Sequence, residues 1–261
     1  MALYGRKVIQ LSVDTELGAD QTALAEYQRR RELLHGIRAI VSRHQLPVTW
    51  GMGGPDASSL QEMTGGISQL DEIALQADSA WCGAHAKRSL FLHELTSRLD
   101  SAADAGETIT TLLLGNNGIP DCWDVMVRRG IRAIGVIGSS HPTFRNGGEK
   151  PQQVRFGLWR FPTHLVLPYR QVARFRWTSP RPCRTLIKLA NEQSRLVRIA
   201  IRISDMVGMP GSERGLDRML EHVAVARDQA GFTVETLSDS TQRAMTENIG
   251  RPSRSLLKEA A

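Results

Sequence analysis

The sequence predicts an α/β fold: one domain of parallel strands, either rolled into a barrel or laid out as a doubly wound sheet. Three observations carry this expectation. Strand-length apolar runs alternate with helix-length amphipathic stretches, no short-period repeat interrupts them, and 261 residues suffice for one large domain. In either architecture ligands gather at the carboxyl ends of the strands, so chemistry belongs in the residues just after each strand.

Lys7–Asp14 (KVIQLSVD) reads as the first strand, being short, apolar and β-branched. In Thr22–His44, the residues Leu24, Tyr27, Leu33, Leu34, Ile37, Ile40 and Val41 recur at three- and four-residue steps among charges, which predicts a helix. Pro47–Trp50 is the next strand and Gly51–Pro55 a loop. Ile73–Ala77 and Ser79–Gly83 flank a further loop, and the third strand is expected to run out at Trp81-Cys82-Gly83. A helix (Leu90–Leu99), a strand (Ile109–Leu114), a helix (Pro120–Arg129) and a strand (Ile131–Ile137) follow, then a polar loop over Gly138–Gln153. Two prolines in Gly157–Pro168 exclude a regular central strand and suggest an edge or gating segment. Thr185–Arg195 is helical and Leu196–Ile203 a strand. Ser212–Gly231 is helical, with Leu216, Met219, Leu220 and Val223 as its apolar stripe and Gly231 as its C-cap. Phe232–Leu237 closes the series as a strand. The expected domain spans 1–248, with 249–261 a flexible tail.

Hydrophobic residues at 41% and charged residues at 23% are ordinary globular usage, which excludes wholesale disorder. No apolar run reaches the ~18 residues of a bilayer crossing, so no membrane span is expected. Cys82, Cys122 and Cys183 are odd in number, far apart and without C-x-x-C spacing, which argues against a disulfide framework or a zinc finger. The opening MALYGRKVIQLSVD has no signal-peptide pattern, and a cytoplasmic location is expected. The net charge of +6 is unevenly spread: Arg145–Arg202 holds 13 basic residues, 11 of them Arg, against Glu149 and Glu192. Such a stretch either attracts a small anion through forked guanidinium contacts or forms a solvated face. Trp159, Phe161, Phe175 and Trp177 interleave with Arg160, Arg174 and Arg176, yet no nucleic-acid motif accompanies them, so nucleic acid is not an expected partner.

The first strand ends in Ser12-Val13-Asp14-Thr15-Glu16. Asp14 and Glu16 share a side if the extended backbone continues, and two close carboxylates call for a cation or a shared proton. The alternative is that one caps the next helix and the other is solvated. After the third strand comes Gly83-Ala84-His85, where His85 is either a ligand at the mouth or a hydrogen-bonded structural residue. The fourth strand leads into Gly115-Asn116-Asn117-Gly118, which offers amides and no charge. The late strand ends in Arg202-Ile203-Ser204-Asp205.

The linear order of VIQLSVDTE, LPVTWGM, WCGAHAKRS, VMVRRGIRAIGV, GLWRFPTHLVLP and SERGLDRMLEHVAVARDQAGFTVETLSD resembles that of the polysaccharide deacetylase family, the NodB homology domain of carbohydrate esterase family 4, from about Lys7 to Thr241. The resemblance implies a distorted (β/α) barrel. It also implies a divalent metal, often zinc, held by one acid and two histidines, a second acid as general base, and removal of N- or O-acetyl groups from sugars. By that resemblance Asp14 matches the base of the family's Thr-Phe-Asp-Asp motif. Its second Asp falls on Thr15, with Glu16 the replacement ligand in a D-x-D arrangement. His85 matches the first histidine of H-x-x-x-H, whose second falls on Ser89. His93 lies about 12 Å further along a helix and cannot serve one small site. The family's Arg-x-Pro segment is replaced by Gly-Asn-Asn-Gly, and its late histidine falls near Arg202 or Ser204.

Catalytic zinc takes three protein ligands and an open position, whereas Glu16 and His85 supply two. Arg202 stays charged and cannot protonate a leaving amine. His164 is a displaced candidate for ligand or acid, and Arg160, His164 and Arg202 are the candidate substrate-binding residues. Three functions remain open on these residues. One is a deacetylase-like protein with a degenerate metal site that binds or scaffolds in carbohydrate metabolism. Another is an active hydrolase in which metal-activated water attacks an acetyl group, Asp14 acts as base, Glu16 and His85 hold the metal, and the basic stretch holds an anionic sugar. The third is a nucleotide-binding protein, suggested by Gly51-Met52-Gly53-Gly54 after a strand, although that spacing fits neither common phosphate loop. The expected partner is a carbohydrate or other small anionic substrate, and a homo-oligomer is left open.

Overall fold

The first strand sets the architecture, because all seven of its residues are buried, as in a parallel strand covered on both faces. Val8 packs inward with Ala74, Leu113, Ala133, Trp159, Phe161 and Leu196, while Ile9, Leu11 and Val13 join the larger cluster beneath the helices. The computed structural model describes residues 6–15, 24–55, 57–65, 68–83, 85–115, 120–136, 150–167, 181–193 and 196–249. Their elements are β1 (Val8–Asp14), α1 (Leu24–His44), β2 (Thr49–Met52), α2 (Ala57–Thr64), β3 (Glu72–Ala77), α3 (Arg88–Asp104), β4 (Thr111–Leu114), α4 (Trp123–Arg128) and β5 (Ala133–Val136). The chain continues through β6 (Gln152–Gln153), β7 (Trp159–Pro162), β8 (Leu165–Leu167), α5 (Arg181–Gln193), β9 (Leu196–Arg202), α6 (Ile203–Met206), α7 (Ser212–Ala230), β10 (Thr233–Glu235) and α8 (Leu237–Ile249).

Sheet order is β6-β7-β5-β4-β3-β2-β1-β9-β8, with β10 on the lower half of β1; every pairing is parallel except β6 with β7. The sheet curls into a half-barrel wrapped by helices, the distorted (β/α) barrel expected from the sequence. Its two ends meet through one stretch of chain. β7 pairs with β5, two residues later β8 pairs with β9, and both run in the common direction. At the switch Thr163 N–H donates to Val136 O at 3.0 Å and His164 N–H donates to Arg198 O at 2.9 Å. Of the two prolines expected to exclude a regular central strand, Pro162 is the last paired residue on the β5 side of a segment that changes partners, and Pro168 lies outside the described residues.

Several boundaries differ from expectation for local reasons. The third strand stops at Ala77, not at Trp81-Cys82-Gly83. Asp78 Oδ1 accepts from Ala80 N–H at 2.7 Å and Asp78 O from Cys82 N–H at 3.0 Å, which turns the chain. The expected strand Phe232–Leu237 shrinks to three residues because Thr236 starts α8. Asp239 N–H donates to Thr236 Oγ1 at 3.1 Å and Thr236 N–H to Asp239 Oδ2 at 3.4 Å, a reciprocal cap. α8 closes the floor of the barrel, with Leu237 and Ala244 buried in the inner cluster. α7 begins at Ser212 and ends at Gly231, whose φ of 66° is the left-handed conformation expected of its C-cap. No helix among the described residues is long and apolar enough to cross a membrane.

Candidate functional site

Strand alternation decides which side chains line the barrel. On β1 the inward positions are Val8, Gln10, Ser12 and Asp14, and Asp14 lies at the carboxyl end, 7% exposed. Its register partner on β9 is Arg202 and on β2 is Gly51. Thr15, next in sequence, ties the exit of β1 to β2, its N–H and Oγ1 reaching Gly51 O at 3.2 and 2.6 Å. A Cβ at Gly51 would stand 2.7 Å from Leu113 Cδ1, so this glycine serves close packing inside the barrel. Gly53 lies just past β2, and its carbonyl accepts from Arg98 of α3. The run expected as a phosphate loop is thus half strand, and its remainder is bound to a helix.

Arg198, two inward positions below Arg202, is fully buried. Its Nη1 donates to Phe161 O at 3.1 Å and Val136 O at 3.3 Å, and its Nη2 to Ser12 Oγ at 3.1 Å. It reaches across the seam, from β9 to β7, β5 and β1. Gly135 makes room, since a Cβ there would lie 2.6 Å from Arg198 Nη2. Burial pulls the guanidinium below the ordinary arginine value, while the Glu72 and Asp14 carboxylates act the other way. Glu72 sits lower in the barrel. Thr49 Oγ1 donates to its carboxylate at 2.8 Å and Ser238 N–H, in the first turn of α8, at 3.0 Å, with Thr111 as a third donor.

His85 is exposed, eight residues beyond the end of β3, and Ser89 is exposed on the first turn of α3. That turn is held to α4 by a forked pair, Arg88 to Asp124 at 2.9 and 2.5 Å. His164 is at the strand switch, where Nδ1 accepts from Arg198 N–H at 3.1 Å, leaving Nε2 to carry the neutral ring's proton. Arg160 pairs in register with Ile134 of the outer cluster, and the alternation that sends Trp159 and Phe161 inward turns it away from Asp14. Among the described candidates, Arg202 is the one in register with Asp14, and it also pairs with Asp205 at 3.8 Å. Glu16, Asn116, Asn117 and the Arg-aromatic run at 174–177 lie outside the described residues.

A divalent metal fits this arrangement poorly. Among the described residues no three His, Cys, Asp or Glu side chains group to hold one, and two guanidinium-bearing side chains, Arg202 and Arg198, share the inner wall with Asp14. The sequence reading did not single out Arg198, Glu72 and Gly135. Its signal for Arg198 was an arginine inside the doubly buried strand LVRIAIR, four positions from Arg202 and so on the same face.

No family model and no curated protein matches the chain. Solved structures do. A protein described as a polysaccharide deacetylase from Mycobacterium smegmatis superposes with a TM-score of 0.65 at 13% identity, over 95% of this chain and 96% of that one. A variant of a CE4-family pseudoenzyme from Bacillus anthracis, with restored enzymatic activity, gives 0.56 at 10% identity over 91% and 68%. A 4-alpha-glucanotransferase from Thermococcus litoralis gives 0.59 at 13% identity over 91% of this chain and 40% of that protein. The barrel described above thus has the fold of the polysaccharide deacetylases.

Proposed function

We propose that the protein is a polysaccharide deacetylase-like carbohydrate binder that takes an N-acetylated sugar at the mouth beside Asp14 and Arg202 without metal-dependent hydrolysis. The observation that carries this reading is the setting of Asp14: a buried carboxylate whose strand neighbours are an arginine and a glycine. A carboxylate and a guanidinium side by side can accept from sugar hydroxyls and donate to an acetyl carbonyl or an acidic sugar substituent. His85 and Ser89 are both exposed, in contrast to the buried Asp14, which supports the same reading. Three buried, unbridged cysteines agree with a reducing compartment, and the cytoplasm is the proposed location.

The test is calorimetric titration with N-acetylglucosamine oligosaccharides, paired with an assay for released acetate. Binding independent of added zinc or cobalt, with no acetate released, is the expected outcome. Asp14→Asn should weaken binding by about tenfold, the worth of one charge-assisted hydrogen bond of about 1.5 kcal/mol. Acetate release that depends on added metal and disappears in Asp14→Asn would favour the active hydrolase instead, and no binding at millimolar sugar would reject both.

A further inference from the structure

We propose that Arg202, with Arg198 beneath it, takes the place of a divalent cation at the mouth: fixed guanidinium charge stands in register with Asp14, pairs with Asp205 and keeps metal out. The inference deepens the reading of the Asp14 mouth as the functional site and rests on that reading only for its biological meaning.

The geometry supplies the argument. Arg202 stands between two acids, as register partner of Asp14 across the β1–β9 ladder and as ion-pair partner of Asp205 at 3.8 Å. A carboxylate set beside a fixed guanidinium has its charge balanced without a divalent cation, and the same guanidinium repels one. Arg198 adds a second positive charge from inside. It is fully enclosed and anchored by Ser12 Oγ, Phe161 O and Val136 O, so it cannot swing aside when a cation approaches. Glu72 and Asp14 both act on that charge, which places it electrostatically between the floor and the mouth. A mobile surface arginine would be screened by water and salt, whereas an enclosed one is screened far less. Any cation entering beside Asp14 meets one arginine in register with that acid and a second, enclosed one beneath it.

The experiment uses the full chain and the metal alone. Equilibrium dialysis with zinc or cobalt, read by elemental analysis, is expected to show no stoichiometric binding to the untagged wild-type protein at micromolar metal. Arg202→Gln, which removes the guanidinium charge beside Asp14 and Asp205, should bind at least tenfold more tightly than wild type. Arg202→Lys, which keeps the charge, should behave as wild type. Arg198→Lys separates charge from anchoring: it should lose thermal stability with the forked hydrogen bonds yet still exclude metal. Thermal unfolding of each variant controls for folding, and Arg202 is the decisive position because it is partly exposed. Tight zinc binding by the wild type, or no gain in Arg202→Gln, would overturn the proposal. Because no sugar enters the experiment, failure here is distinct from failure of carbohydrate binding.

Discussion

Glu72 illustrates what a single residue inside the barrel costs and contributes. Loss of solvent pushes its carboxyl above the ordinary value of 4.5, while Thr111, the Ser238 amide and Thr49 pull the other way and Asp239 adds to the rise. A carboxyl whose folded pKa exceeds its unfolded pKa binds more protons in the folded state between those two values. Stability from this group therefore declines as pH rises from about 4.5 through the folded pKa. Glu72→Gln should flatten that decline, and urea unfolding of both proteins from about pH 4 to pH 8 measures it. An unchanged pH slope would show that the carboxyl does not titrate across the transition. Little of this was legible in the sequence, where Glu72 precedes an apolar run and looks like a solvated strand end. Asp14 was legible because it closes a strand. Arg202 was legible as a charge, but its neighbour was not, because register between β1 and β9 is set by residues far apart in the chain.

Among the elements, α1, α7, β1 and β9 could be read from periodicity because each buries a full stripe or both faces. α2 and α8 could not. Among its described residues α2 buries Leu60 and Met63 alone, and α8 is polar along most of its length, so neither carries a clear apolar period. α8 did carry a signal in Thr236-x-x-Asp239, which the structure shows as its cap. The contact of α5 with α7 has a readable pH dependence. Arg184 Nε donates to His222 Nε2 at 2.7 Å, a bond available only to the neutral imidazole. Partial burial first, then the Arg184 charge, lowers the imidazole below 6.5, with Glu221 opposing. The unfolded chain then takes up the proton first, so stability from this contact is lost as pH falls through 6.5 toward the folded pKa. His222→Gln, which keeps an acceptor without a titrating ring, should reduce the loss in Tm between pH 7.5 and 5.5. An identical loss in both proteins would assign it to other groups.

For the whole molecule, the half-barrel is held together by strands that share partners. β1 gives its lower half to β10 and its upper half to β2 along one edge, and the segment from Trp159 to Leu167 divides itself between β5 and β9. The floor depends on α8, whose Leu237 is fully buried and whose first turn holds Glu72. Deleting residues 237–261 should therefore abolish cooperative unfolding, seen as loss of near-ultraviolet dichroism and a broad melt; a sharp transition in the shortened chain would refute this. Alternating strands and helices made the α/β class visible in the sequence, while the joining of the two ends of the sheet was hidden because it depends on a two-residue jog and a long-range arginine. The guanidinium of Arg198 and the missing side chain of Gly135 occupy one and the same space. Descendants that keep the arginine must keep the glycine, so the two positions form a single hereditary unit and a better signature for kin of this chain than the ligands of an ion.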